Sequence, residues 1–360
     1  MRLEALGGLP RADLGPWPTP LQEAPRLAAI LGGPRLLVKR DDVMALGLGG
    51  NKVRKLEYLL GHALSLGCRA VITTGAFTSN HARLTAAACR RLGLEPHLVL
   101  RSSEARPSVQ GNLLLDHLLG AAVHLVGSDA AALTAMADLA GRLRGAGVPP
   151  YVIPTGGSVG RGAVGYAHAV AETVVQAAAL GARPDVFVAA SGSGGTQAGL
   201  LLGCRLYGLS AEVVGVMVGG DDPAAFADRI ARLAAEAAGR VGIGPAPPPE
   251  DWGTHLPAAL DAGDPAGAAR AAAAGVRLCT GYVGGGYGDV TPAVREAIDL
   301  AARSEGLLLD PVYSGKALAG LIGEVRAGRW GRDQTVVFVH TGGQAGLFSR
   351  AAELAEVPGG

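Results

Sequence analysis

Short apolar runs alternate along this chain with longer stretches in which apolar positions recur every three to four residues. The first pattern fits buried strands and the second amphipathic helices. Strands are predicted over 36–40, 69–75, 97–101, 122–126, 151–154, 185–190, 212–218 and 335–340. Helices are predicted from Lys52 to about Leu66, and over 79–93, 109–120, 129–144, 160–180, 196–208, 291–306 and 316–328. Such alternation builds βαβ units, hence an α/β protein of doubly wound, mostly parallel sheets with helices on both faces. Residues 8–27 are Pro-rich and extended, and the stretch 243–275 interrupts the rhythm. There IGPAPPPEDW reads as a linker or surface loop, and DAGDPAGAARAAAAG as a helix of low complexity.

Composition narrows the function classes. The 360 residues are 49% hydrophobic and 18% charged, enough for a sizeable core and for two domains. A formal net charge of +1 argues against nucleic acid or an acidic membrane as partner. No apolar run reaches the length of about 18 residues that a spanning helix needs. The N-terminal MRLEALGGLPRADLGPWP, broken by Pro and acidic residues, does not read as a signal peptide. The four cysteines form no CxxC pair, so neither a disulfide scaffold nor a zinc site is expected, and a reducing cytoplasm fits best.

The stretch with the most chemical content is GLGGNKVRKLEY at 47–58. Gly47, Gly49 and Gly50 permit a tight turn, and the helix that follows places Lys52 at or near its N-terminus. The helix dipole disfavours an ammonium there, and desolvation would add to the effect, leaving a nucleophilic amine. Arg54 and Lys55 keep open the plainer reading of a solvated basic helix start.

In open α/β sheets ligands collect at the carboxyl ends of strands, and four such ends carry unusual residues. SGSGGTQAG at 191–199 opens a helix with exposed amides and suits a single phosphate; Gln197 replaces the third glycine of a dinucleotide fingerprint. TTGAFTSNHAR at 73–83 offers Ser79 or Thr78 as a helix cap, with Asn80 and His81 beside it, and could hold a carboxylate. In GLLLDPVYSGKALAG at 306–320 a strand is predicted to end at Asp310, which suits either a base or a helix-terminal charge; Lys316 reads as a solvated side chain. In VFVHTGGQAG, His340 reads as a satisfied core histidine and Thr341 precedes two glycines. A reactive lysine, a one-phosphate cradle and a carboxylate site together suggest pyridoxal phosphate.

GGNKVRKLEYL, TSNHAR, SGSGGTQAGL, EGLLLDPVYSGKA and HTGG resemble the motifs of the fold-type II pyridoxal phosphate family that holds D-cysteine desulfhydrase and 1-aminocyclopropane-1-carboxylate deaminase. PTPLQEAPRL resembles that family's N-terminal segment, and the likeness runs from about residue 18 to about 350. It implies a two-domain, tryptophan synthase β-like fold, with residues 1–55 and 160–360 as a large cofactor-binding domain and 56–159 as a small domain inserted in it.

The resemblance also implies roles. Lys52 matches the Schiff-base lysine that moves the α-proton, and Asn80 the asparagine facing the cofactor's phenolic oxygen. Ser79 and His81 match the residues that meet the substrate's carboxylate, and Ser193, Gly194, Gly195 and Thr196 the phosphate loop. Tyr287 and Tyr313 match the two active-site tyrosines, and Thr341 the partner of the pyridine nitrogen. Deaminases of the family carry Glu after the second tyrosine and Leu before the final glycine pair, where this chain has Ser314 and Thr341. A neutral hydroxyl partner makes a weaker electron sink, sufficient for β-elimination of a good leaving group. The resemblance therefore implies a lyase that converts D-cysteine to pyruvate, sulfide and ammonia, as a cytoplasmic homodimer with no membrane or nucleic-acid partner. The segment Asp289–Val290–Thr291–Pro292 departs from the desulfhydrase pattern. It leaves the deaminase reaction, or elimination from L-cysteate or another β-substituted alanine, as alternatives.

Overall fold

The computed structural model describes residues 6–245 and 267–354. The chain forms two sheets. Their strands are β1 (Leu21–Glu23), β2 (Arg35–Arg40), β3 (Ala70–Ala76), β4 (Glu95–Arg101), β5 (Ala122–Val126), β6 (Pro150–Ile153), β7 (Val186–Ser191), β8 (Glu212–Met217), β9 (Arg277–Cys279) and β10 (Thr335–His340). One sheet has the order β1-β2-β10-β7-β8-β9 and the other β5-β4-β3-β6. Every pairing is parallel except β1 with β2.

Side-chain alternation explains the layers of the larger sheet. Val336 and Phe338 of β10 face a core shared with the helices Pro292–Glu305 and Ser314–Arg326, which supply Val294, Ala297, Leu318 and Leu321. Val337 and Val339 face the opposite core, with Tyr166, Val170 and Leu200 from the helices Gly160–Ala179 and Gly195–Leu206. Both faces are thus covered, as a parallel sheet requires. In the smaller sheet Ile72 and Val99 pack on the helix Asp129–Gly145. Leu98 and Leu100 pack on Ala82, Ala86 and Leu113 of the helices Asn80–Leu92 and Gly111–Leu118.

Eight strands stand where the periodicity places them, within about two residues at each end. Two short strands, β1 and β9, were not expected from it. The segment before Asp310 is a correction in the other direction: residues 306–310 form no ladder. Leu307 and Leu309 are buried, but the Leu308 carbonyl accepts from His340 Nε2 at 3.1 Å, a side chain in place of a neighbouring strand. Residues 246–266, which hold most of the linker and low-complexity expectation, lie outside the described residues; Gly267–Ala273 is helical. No helix among the described residues is long and apolar enough to cross a membrane.

Candidate active site

The carboxyl ends of β3, β7, β8 and β10 open on one cavity of about 670 Å³. It is lined by residues from both sheets, and Lys52, at the start of the helix Lys52–Ser65, lines it too. The turn before Lys52 needs its glycines. Gly49 has φ +68°, and a Cβ there would stand 2.3 Å from the Asp42 carbonyl oxygen; Gly50 has φ +125°. Asn51 then donates its backbone N–H to the Thr341 carbonyl at 3.0 Å and its side-chain amide to Thr196 Oγ1 at 3.0 Å.

Behind the lysine, the helix is fastened by charges. Arg54 Nε and Nη2 donate to the two oxygens of Asp41 at 2.9 and 2.8 Å, and the guanidinium also reaches Glu172 at 2.9 and 2.8 Å. Lys39 completes the cluster with a 2.8 Å contact to Glu172, and Tyr166 donates to Asp41 at 2.6 Å. All five residues are buried, two cations against two carboxylates, so the burial of charge is compensated. Gly165 lets the two helices meet: a Cβ there would lie 2.1 Å from the Arg54 carbonyl oxygen.

Arg54 and Lys55 correct the reading of a solvated basic helix start, since both are buried. Lys55 Nζ donates to the Gly156 carbonyl at 3.2 Å and to Ser158 Oγ at 3.1 Å. Burial, with the Lys52 charge beside it, holds the Lys55 amine well below its ordinary pKa. Burial likewise lowers Lys52, to about 8. The cause is desolvation rather than the helix position expected from the sequence.

The glycine loop forms the floor. Ser193 Oγ lies 2.6 Å from Ser158 Oγ, and Gly194 caps the helix Gly195–Leu206 in the left-handed region at φ +82°. A Cβ on Gly195 would stand 2.7 Å from both Lys55 Nζ and Ser158 Oγ, so the backbone there lies directly against a buried amine. Ser193, Gly194 and Thr196 line the cavity, whereas Gly195 sits just behind its wall. The outcome is a helix N-terminus with a buried amine beneath it, a suitable cradle for a phosphate.

On the opposite wall Ser79 caps the helix Asn80–Leu92, accepting from the Ala82 amide at 3.2 Å. The amides of Asn80 and His81 belong to the first turn, where no helical carbonyl is available to them. Asn80 Oδ1 accepts from Asn112 Nδ2 at 2.9 Å, which leaves its own NH2 to donate into the cavity. His81 is buried; its Nε2 bonds the Thr73 hydroxyl at 2.9 Å, and that hydroxyl donates on to the Ile153 carbonyl at 2.9 Å. Nε2 therefore carries the proton. Burial and the Lys52 and Lys55 charges keep the imidazole well below its ordinary pKa, so it is neutral and what it offers an anion is its main-chain amide.

Tyr287 and Tyr313 both line the cavity, with hydroxyl oxygens 2.6 Å apart. Burial raises the pKa of both. Thr341 lines the same cavity, and its Oγ1 is buried without a hydrogen-bond partner. Ser314 does not join it. Ser314 is fully buried, its Oγ 2.6 Å from Asp310 Oδ1, and Asp310 also accepts from the amides of Val312, Tyr313 and Ser314. Asp310 is thus the charge at the start of the helix Ser314–Arg326, the second of the two readings left open for it. Lys316 is a further correction: it is fully buried, not solvated. His340 is the core histidine expected, fully buried and bonded to Leu308.

Sequence reasoning missed Asn51, Lys55, Ser158 and Asn112. Lys55 had a signal, since it follows Lys52 by one helical turn and shares its face. Asn112 and Ser158 had none, because each meets the site through a contact distant in sequence.

The residues fit pyridoxal phosphate on two observations of the molecule itself. Thr341 Oγ1 is an orphaned buried hydroxyl that a ring nitrogen would satisfy, and Ser193, Gly194 and Thr196 line the same cavity at the N-terminus of the helix Gly195–Leu206, where one phosphate would fit. Comparison with known proteins agrees. Residues 12–342 match the family described as pyridoxal-phosphate dependent enzyme. A Pyrococcus abyssi protein named "Putative 1-aminocyclopropane-1-carboxylate deaminase" is 39% identical over 98% of this chain and 97% of its own. The D-cysteine desulfhydrase of Salmonella choleraesuis is 37% identical over 97% and 98%. The crystal structure of an ACC deaminase homologue superposes with a TM-score of 0.82 at 36% identity, covering 97% of this chain and 96% of that one. The chain therefore belongs to the pyridoxal-phosphate dependent enzyme family, in the group that holds the 1-aminocyclopropane-1-carboxylate deaminases and D-cysteine desulfhydrases.

Proposed function

We propose that this chain is a β-elimination lyase acting on D-cysteine. The observation that carries the reading is Thr341: the hydroxyl set to meet the ring nitrogen is neutral and unpartnered, and Ser314 is turned away to Asp310. No carboxylate stands at either position that distinguishes the deaminases. Relatives bearing the two names are about equally similar, 39% and 37% identical, so names alone do not separate the reactions.

The site residues take the following parts. Bound pyridoxal phosphate supplies an electron sink for the pair released at the substrate's Cα. Lys52 would anchor it, the loop Ser193–Thr196 with Lys55 below would hold its phosphate, and the Asn80 side chain would face its ring. The Ser79 hydroxyl and the amides of Asn80 and His81 bind the substrate carboxylate at a positive helix end. Lys52, eased toward the neutral form by burial, takes the proton from Cα. Tyr287 and Tyr313, both kept protonated, orient the thiol and hand a proton to the departing sulfur. The Cβ–S bond breaks, sulfide leaves, and the enamine product hydrolyses to pyruvate and ammonia.

A screen of the purified holoenzyme tests this. Sulfide and pyruvate should form from D-cysteine with a kcat/KM at least about tenfold above that for aminocyclopropane carboxylate. Pyruvate from L-cysteate alone would change the leaving group within the same reaction class. 2-Oxobutanoate from aminocyclopropane carboxylate as the dominant product would overturn the proposal.

A further inference from the structure

Lys316 occupies an unusual setting. It lies in the first turn of the helix Ser314–Arg326, and its Nζ donates to the carbonyls of Val283 at 2.7 Å, Gly286 at 3.0 Å and Val218 at 3.4 Å. Three main-chain oxygens around one nitrogen match the three N–H groups of an ammonium; a neutral amine has only two. The charges of Asp289 and Asp310 favour that ammonium, while burial and Arg350 oppose it.

The three oxygens belong to two segments. Val218 follows β8 and lines the cavity. Val283 and Gly286 belong to the loop between β9 and the helix Pro292–Glu305, which carries Tyr287 and no regular structure of its own. The bonds from the Gly285 amide to Asp289 Oδ2, 2.7 Å, and from the Asp289 amide to the Gly286 carbonyl, 3.2 Å, are internal to the loop. Lys316 instead reaches from the helix under it. A ring of carbonyl oxygens about a single positive charge is also how proteins hold K+.

We propose that Lys316 acts as a tethered monovalent cation: its ammonium gathers the carbonyls of Val218, Val283 and Gly286 and so sets the loop that presents Tyr287 to Tyr313. It is a positioning residue and touches no reacting atom. Its consequence for turnover rests on the reading above that the tyrosine pair meets the leaving group. Its ordering of the loop does not.

The test replaces Lys316 by Met, which keeps the apolar stem and vacates the ammonium position. Hydrogen exchange is followed on the holoenzyme, with Lys316→Ala in parallel should the Met variant not fold. The Gly285 and Asp289 amides should exchange about tenfold faster than in the parent, with the sheets unchanged. KCl or NH4Cl should restore much of the protection, tetramethylammonium chloride at equal ionic strength should not, and the parent should respond to none of them. On D-cysteine kcat should fall about tenfold and recover with the same ions, while cofactor affinity stays constant. Unchanged exchange in the loop, faster exchange throughout the chain, or a local loss indifferent to K+ and NH4+ would each overturn the proposal. If the substrate reading is wrong, parent and variants alike fail to turn over D-cysteine, and the exchange result still decides the role of Lys316.

Discussion

Asn51 and Thr341 are joined by a 3.0 Å bond from the Asn51 amide to the Thr341 carbonyl. The residue preceding Lys52 is thereby fixed to a residue that lines the same cavity. Because that bond uses only main-chain atoms, the Thr341 hydroxyl can be altered without disturbing it. Thr341→Val should leave the stability of the cofactor-free protein within about 0.5 kcal/mol, since Oγ1 has no partner to lose. Cofactor affinity should weaken by about the value of one hydrogen bond, roughly fivefold. Thermal melts and absorbance titrations measure the two effects.

Reconstitution should report the Lys52 amine. The amine attacks the cofactor only when neutral, and burial sets its pKa to about 8. Below that pH the rate at which stripped protein takes up pyridoxal phosphate should rise about tenfold per unit, and above it the rate should level off. Lys52→Ala should bind the cofactor without retaining it after borohydride treatment and denaturation.

The cradle should discriminate the phosphate itself. Gly195→Ala places a methyl 2.7 Å from Lys55 Nζ and Ser158 Oγ. Its affinity for pyridoxal phosphate should fall about a hundredfold or more, while that for pyridoxal, which lacks the phosphate, changes much less. Fluorescence titration with the two aldehydes gives the ratio.

Asp116 should control stability against pH. It is fully buried, neither carboxylate oxygen has a hydrogen-bond partner, and burial raises its pKa to about 7 against the Arg83 charge. Folding therefore favours the protonated form. The cost is absent below the unfolded value near 4, grows as pH rises towards 7, and is complete above it. Asp116→Asn should stabilise the protein by about 1–3 kcal/mol at pH 8, an advantage that shrinks as pH is lowered from 7 towards 4. Urea unfolding at several pH values measures it.

Much of this site was legible in the sequence because strand ends and glycines declare themselves locally. Lys52, Asn80, Thr196 and Thr341 follow from motifs at the ends of predicted elements, and all four line one cavity. Where periodicity failed, the reason was tertiary. Residues 306–310 read as a strand because Leu307 and Leu309 are apolar, yet the partner of Leu308 is a histidine side chain. Lys316 read as solvated, and Arg54 and Lys55 left that reading open, because lysine and arginine usually are. Their burial depends on Asp41, Glu172, Gly156 and Val283, and all but Asp41 lie far away in sequence, beyond any local window. β9 is three residues long and pairs only with β8, too short to show a period.

The position of β10 bears on how the enzyme comes into being. It supplies residues 335–340, yet it lies inside the sheet, between β2 and β7. All four strands of the smaller sheet fall within residues 70–153 and can pair while the chain is still being made. The larger sheet lacks a central member until residues 335–340 have been made, long after β2, and Thr341 reaches Asn51 only with that strand. Such long-range parallel pairing is slow to form. A nascent chain therefore carries Lys52 through the synthesis of nearly 300 further residues before β10 can join the sheet and bring Thr341 to Asn51.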